Sequence, residues 1–279
     1  MHRYLYNGNN TAIKKMKWGY QIEMEEYKSL LWEMIEPGIG LLTLNRPDYY
    51  NAVDGDMMVE LENFWLRRLN DEATKVIILK GAGEKGFCAG LDMKWAIKDS
   101  QANVGNVWAN FRFQARLARI NLAMRRAPQP IITMVHGAAA GEGFSFTLAS
   151  DIRVITPDAR FCAAYINIGL GGADMTCSYF LPRLIGAGRA YEFMYTGEFM
   201  SSEEAWNLGL VSKIVPREEL YEAALTYARK LMTKNPMGLY LTKEAINMNL
   251  DAGGLEQAIC MEDRNQVMLT LASGLKSTV

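Results

Sequence analysis

The sequence predicts an α/β fold, and three observations carry that prediction. Apolar runs of strand length alternate with amphipathic helical stretches as far as about residue 155. Two of those runs end in glycine- and alanine-rich turns that open helices. Beyond residue 178 the pattern becomes almost wholly helical. Such alternation favours parallel strands joined by crossover connections. The expectation is therefore an α/β core over residues 27–200 with a helical C-terminal region over 201–279.

Residues 1–26 read as a flexible N-terminal tail. No acid precedes Glu23, whereas Arg3, Lys14, Lys15 and Lys17 are basic. The stretch has neither the apolar centre of a signal peptide nor the Ser/Arg richness of a transit peptide. Order is expected to begin near Tyr27. Residues 30–36 and 39–44, separated by Pro37-Gly38, read as a hairpin. Asp54 caps a helix to about Asn70, with Met57, Met58, Leu61, Phe64, Trp65, Leu66 and Leu69 at helical spacing. Residues 75–80 (KVIILK) form a buried strand and 103–126 a long helix. Residues 130–135 form the next strand, 143–149 a helix and 152–155 a strand. Helical patterns follow at 178–195, 201–209, 217–233, 236–250 and 254–272, with one short strand at 211–215. Ser201-Ser202-Glu203-Glu204 is a strong helix start. The apolar faces of this helical region suit an oligomer interface.

Composition removes several function classes. Thirty basic and thirty-one acidic residues leave a net charge of −1, so a nucleic-acid partner held by charge is not expected. The longest apolar stretch, 131–140, contains His136 and is far short of the roughly 20 residues a membrane span needs. Cys88, Cys162, Cys177 and Cys260 show no CxxC spacing and read as reduced thiols of a cytoplasmic protein. Only His2 and His136 are present, which argues against a histidine-rich metal site or a Ser-His-Asp triad. No metal and no permanently bound cofactor is expected.

Two loops stand out. Gly86-Phe87-Cys88-Ala89-Gly90-Leu91-Asp92-Met93-Lys94 follows the strand at 75–80. His136-Gly137-Ala138-Ala139-Ala140-Gly141-Glu142-Gly143 follows the strand at 130–135. Both lead into helices, so unpaired N–H groups point outward, and their small residues let a ligand approach the backbone. Two such donors on one carbonyl oxygen make an oxyanion hole, in which each donor is worth roughly 3 kcal/mol of transition-state stabilisation. Taken alone, each loop also reads as a tight turn. Neither matches the GxGxxG or Walker pattern.

Together, the ordered motifs resemble the crotonase (enoyl-CoA hydratase/isomerase) superfamily. Leu44-Asn45-Arg46-Pro47 with Asn51-Ala52 resembles its LNRP…NA opening, and 87–94 its FxAGxDxK loop. Residues 135–143 resemble NGxAxGGG with His136 in place of Asn, and Ser150-Asp151-Ile152-Arg153 resembles CDIR. Leu181-Pro182-Arg183 with Gly186, Thr196-Gly197 and Gly209-Leu210-Val211 complete the set. The resemblance covers about residues 28–270. It implies a crotonase-like spiral of ββα turns, with the C-terminal helices serving oligomerisation into trimers or pairs of trimers. It also implies a coenzyme A thioester substrate. The family's oxyanion donors fall on the backbone N–H groups of Leu91 and Glu142. Ala89, Leu91, Asp92, Met93 and Lys94 would lie along the CoA moiety.

The pattern also breaks. The two hydratase glutamates of the family fall here on Ser145 and Tyr165, neither a good general base near pH 7. Asp174 instead matches, counted back from Leu181-Pro182-Arg183, the proton-shuttling aspartate of the family's dienoyl-CoA and phenylacetate-pathway isomerases. One carboxylate moving a proton between carbons suits isomerisation better than hydration. A helix N-cap ahead of Met175 is the competing reading for Asp174. Glu142 offers its N–H whatever its side chain does, and that side chain is also an acid/base candidate. Tyr165 reads either as a hydrogen-bond donor to substrate or as pocket wall, and Asp151 as structural. The alternatives to an acyl-CoA isomerase or hydratase are a non-catalytic acyl-CoA binder and another oxyanion-dependent reaction.

Overall fold

The computed structural model describes residues 27–273 and three short strands nearer the N-terminus. Those strands, β1 (Leu5–Tyr6), β2 (Ala12–Lys15) and β3 (Gln21–Glu23), pair antiparallel in sequence order. The rest of the expected tail over 1–26 lies outside the described residues.

Strands β4 (Leu30–Glu36) and β5 (Ile39–Leu44) form the expected hairpin, with a bulge between Met34 and Glu36. Helix α1 (Gly55–Arg68) starts where Asp54 accepts from Met57 N at 2.9 Å, and it buries Met57, Met58, Leu61, Phe64 and Trp65. Strand β6 (Val76–Gly81) follows. The single helix expected over 103–126 starts later, because a turn precedes Asn106. That residue caps α3 (Val107–Arg126) by accepting from Ala109 N, and a separate helix, α2 (Met93–Ala102), comes before it. Next come β7 (Ile131–Val135), β8 (Ala138–Ala140), α4 (Glu142–Ala149), β9 (Ile152–Ile155) and β10 (Arg160–Cys162). A 3-10 helix spans Ala164–Ile168.

The helical pattern at 178–195 divides into α5 (Cys177–Ile185) and α6 (Ala187–Thr196). Gly186, at φ +83, is the break. Strand β11 (Met200–Ser201), α7 (Ser202–Asn207), β12 (Lys213–Ile214), α8 (Leu220–Met232), α9 (Pro236–Asn249) and α10 (Leu255–Ser273) complete the chain.

The main sheet has the order β12-β9-β7-β6-β5-β4. It is parallel throughout except for the β4–β5 hairpin. A second small sheet, β11-β10-β8, was not legible as strands. Isolated bridges Gly86–Gly137 and Cys88–Ala139 tie the first loop to it. Each turn of the chain thus places one strand in the main sheet, one short segment beside the small sheet, and then a helix. This is the spiral of ββα turns.

One face of the main sheet supports α1, α3, α4 and α5 around Leu42, Leu79, Val135, Phe144 and Phe161. The other face packs Ile78, Ile132 and Val154 against Leu220, Ala224 and Ala228 of α8. Helix α9 is held to the core by a buried charge cluster. Lys243 Nζ lies 2.8 Å from Asp151 Oδ2, and Asp151 Oδ1 pairs with Arg125 at 3.2 Å. Asp151 Oδ2 also accepts Ile131 N, the structural role expected of it. Among the described residues no helix is long and apolar enough to cross a membrane. None of the described His, Cys, Asp and Glu residues group in threes to hold a metal ion.

Candidate active site

The two glycine-rich loops run side by side. Cys88 N donates to Ala138 O, and Ala140 N donates to Cys88 O. Gly90, at φ +93, lies so close that a Cβ there would come within 2.7 Å of Ala140 O and 3.3 Å of Glu142 N. A Cβ on Gly143 would meet Cys88 O at 2.3 Å. Only glycine permits these approaches. Around Leu91, the N–H groups of Ala89 and Asp92 are taken by Tyr50 O and Val53 O, whereas Leu91 N has no acceptor among the described residues. Glu142 is the first residue of α4, so its N–H has no intrahelical partner either. The two expected donors therefore sit on adjoining loops.

The LNRP and NA residues explain how the first loop is held. Asn51 Nδ2 donates to Ala82 O, Gly86 O and Phe87 O at 2.9–3.1 Å, and its Oδ1 accepts from Arg46 N. Arg46 bridges Asp54 (2.9 Å) and Asp92 (3.1 Å) and also donates to Ala52 O. Asp92 caps α2 through Lys94 N and Trp95 N, so its carboxylate is fully engaged inside the loop. Ala89, Met93 and Lys94 are exposed and Leu91 is half-buried, leaving this edge of the loop open to a ligand.

Ser145 and Tyr165, where the family's hydratases carry glutamates, are both buried. They share a hydrogen bond, Oγ to Oη, at 2.7 Å, with Cys177 Sγ 3.7 Å from Ser145 Oγ. Burial first, then the nearby Cys177, Glu142 and Asp174, hold the Tyr165 phenol well above its ordinary value of 10. This cluster is neutral at any working pH. Burial also pushes the Cys88 and Cys177 thiols up to about 12, which removes both as thiolate nucleophiles. His136 is 3% exposed and pushed down to about 4, chiefly by burial, so its imidazole is neutral.

Two carboxyls act electrostatically on this neutral cluster. Asp174 is half-buried. Its Oδ1 accepts from Gln114 Nε2 (2.7 Å) and Met175 N (2.9 Å), and burial raises its pKa against those two hydrogen bonds. The N-cap reading of Asp174 gives way here. Helix α5 starts at Cys177 with Thr176 as N-cap and no side-chain cap bond. Met175 (φ 42) and Thr176 (φ 75) are both left-handed, a costly backbone for non-glycine residues that displays Asp174 ahead of the helix.

Glu142 is 2% exposed. Asn121 Nδ2 donates to its Oε1 at 2.8 Å. Burial, opposed by that hydrogen bond and reinforced by the charge of Asp174, pushes the carboxyl up to about 8. Glu142 Oε2 and Asn121 Oδ1 are both buried without a hydrogen-bond partner. Neither Asn121 nor Gln114 was singled out from the sequence. The one available signal was a polar Asn121 amid Leu117, Ile120 and Met124 on the buried stripe of α3. A cavity of about 460 Å³ reaches Asn121 and Thr176 from the side of α9.

The family model for enoyl-CoA hydratase/isomerase matches residues 34–276. The chain belongs to the enoyl-CoA hydratase/isomerase family. It is similar to the probable enoyl-CoA hydratase EchA12 of Mycobacterium tuberculosis, 38% identical over 87% of this chain and 85% of that one. It is also similar to the 1,2-epoxyphenylacetyl-CoA isomerase of Escherichia coli, 33% identical over 76% of this chain and 80% of that one. Among solved structures it resembles a probable enoyl-CoA hydratase/isomerase from Mycobacterium abscessus. That pair shares 34% identity and a TM-score of 0.79 over 88% of this chain and 91% of the other. Hydratases and isomerases thus both stand among this family member's relatives, so its reaction must be argued from its own residues.

Proposed function

We propose that this enzyme moves a double bond in an enoyl-CoA thioester. The observation that carries the reading is the pairing of a neutral Ser145–Tyr165 cluster with the carboxylate of Asp174. The thioester oxygen takes the N–H groups of Leu91 and Glu142, and the CoA moiety lies along Ala89, Leu91, Asp92, Met93 and Lys94. As the proton leaves the carbon next to the thioester, negative charge builds on that oxygen, where preorganised donors stabilise it most. Asp174 accepts the proton and is the proton shuttle. Its raised pKa strengthens it as a base relative to an exposed aspartate. Tyr165 keeps its proton and, with Ser145, shapes the pocket wall beside the reacting carbons. Water addition lacks the two carboxylates that would activate water and protonate carbon at the usual positions. The working form is a homotrimer or a pair of trimers in the cytoplasm, with no permanently bound cofactor.

The test is incubation in heavy water with a panel of 2-enoyl- and 3-enoyl-CoA thioesters, read by mass spectrometry. The expected product has its double bond moved and has taken up deuterium without gaining water. Asp174→Asn is expected to lower kcat by roughly 10²–10⁴. A product heavier by a whole water as the main outcome, or full activity in Asp174→Asn, overturns the reading.

A further inference from the structure

The buried side chain of Glu142 has no part in that reaction as described, since an oxyanion donor at this position needs only a backbone N–H. Its placement is costly and specific. The carboxyl is buried at the start of α4, with one oxygen tied to Asn121 of α3 and the other without a partner. Unsatisfied buried carboxyl oxygens are rare in folded proteins and call for an explanation. The ionisable groups that act on it or respond to it come from every neighbouring element: Asp174 ahead of α5, Cys177 on α5, Tyr165 on the 3-10 helix, and Cys88 on the first loop. The thiols and the phenol stay protonated, so Asp174 supplies the one negative charge of this set.

We propose that Glu142 is a second catalytic residue, the general acid that partners Asp174 as general base. The proposal rests on the reading of Asp174 as the proton-abstracting carboxylate. In the first step Asp174 takes a proton from carbon 2 of a 3-enoyl-CoA. The C–H electron pair becomes the C1–C2 double bond of a dienolate, whose oxygen is held by Leu91 N and Glu142 N. In the second step the carbonyl re-forms, the double bond settles between carbons 2 and 3, and carbon 4 takes the proton of Glu142. Glu142 is left as a carboxylate and Asp174 as an acid. Proton exchange with water restores both, so no oxidant or co-reactant is needed. Two carboxyls pushed apart in proton affinity by their surroundings are the arrangement that divides acid from base work.

The experiment is a single turnover of an unlabelled 3-enoyl-CoA in heavy water with wild type, Glu142→Gln and Asp174→Asn, alongside pH profiles of kcat/KM. Glutamine keeps the backbone N–H and can hydrogen-bond Asn121, and urea unfolding verifies that the variant is folded. Wild type is expected to place a solvent deuteron on carbon 4 and to lose activity as pH rises past about 8. Glu142→Gln is expected to fall at least 100-fold in kcat and to lose that alkaline limb. Its residual product should carry the substrate's own proton at carbon 4, returned by Asp174. An active Glu142→Gln with wild-type labelling and pH profile, beside an inactive Asp174→Asn, overturns the role of Glu142 and leaves the isomerase reading standing. Full activity in Asp174→Asn overturns both.

Discussion

Replacing Glu142 with glutamine is expected to stabilise this protein, and to do so only above acid pH. The folded-state pKa of the carboxyl is raised from 4.5 to about 8. Between those values the folded chain holds a proton that the unfolded chain has released. Stability therefore falls as pH rises through this window. The contribution is fully present below about 4.5 and lost above about 8. At about 1.4 kcal/mol per pH unit, the displacement sets a ceiling near 5 kcal/mol. Water entering the pocket on ionisation lowers it, so the expected gain of Glu142→Gln over wild type at pH 8.5 is about 2–5 kcal/mol. At pH 4.5 and below, protonated glutamate and glutamine are near equals. The assay is urea unfolding followed by tryptophan fluorescence at pH 5 and pH 8.5, at one protein concentration. Other titrating groups cancel in the difference between variant and wild type. The same difference at both pH values would refute the argument, because the carboxyl would then ionise in the fold as it does in the unfolded chain.

Two further outcomes concern the loops. Gly143→Ala places a Cβ against Cys88 O, so it is expected to cost about 1–3 kcal/mol as overpacking. It should also lower kcat at least tenfold by parting Leu91 N from Glu142 N, as read from the thermal midpoint and from steady-state kinetics. Arg46→Ala leaves the largely buried carboxylates of Asp54 and Asp92 unpaired, at an expected cost of about 3 kcal/mol. Because Asp92 caps α2 beside Leu91, KM for the CoA thioester should rise along with the loss of stability. An unchanged KM would detach Arg46 from loop positioning.

Local patterns were read well because local physics fixes them. The Pro37-Gly38 hairpin, the Asp54 cap, the strand at 75–80 and the two glycine-rich loops each depend on residues a few positions apart. The small sheet escaped notice because β8 is three alanines and β11 only two residues. Such segments carry no period, and they become strands only when neighbouring turns of the chain align them. Helices expected as single units at 103–126 and 178–195 were delayed or divided where turns interrupt an otherwise continuous apolar stripe. Asp174 was singled out by its spacing to Leu181-Pro182-Arg183, yet its hydrogen-bond partner Gln114 lies 60 residues away and Asn121 lies 21 residues before Glu142. Spacing within a motif cannot report a contact between motifs.

That gap explains why the sequence left open whether Glu142 serves only through its backbone N–H or also through its side chain. A residue whose backbone N–H is useful whatever its side chain does would be expected to vary freely toward small side chains, since α4 is packed on all sides. A glutamate there carries a large desolvation cost and feels the charge of a second carboxyl, Asp174. Asn121, placed on the buried face of α3, offsets only part of that cost through one hydrogen bond. Packing alone would be served better by alanine or glycine. The positions where hydratases keep their carboxylates are meanwhile filled by Ser145 and Tyr165, which satisfy one another. On the proposed reading, proton transfer has left those two positions and rests instead on Asp174 and Glu142. Two carboxyls in those proposed roles would remove a proton at one carbon and deliver one at another without activating water, which is the chemical requirement of moving a double bond.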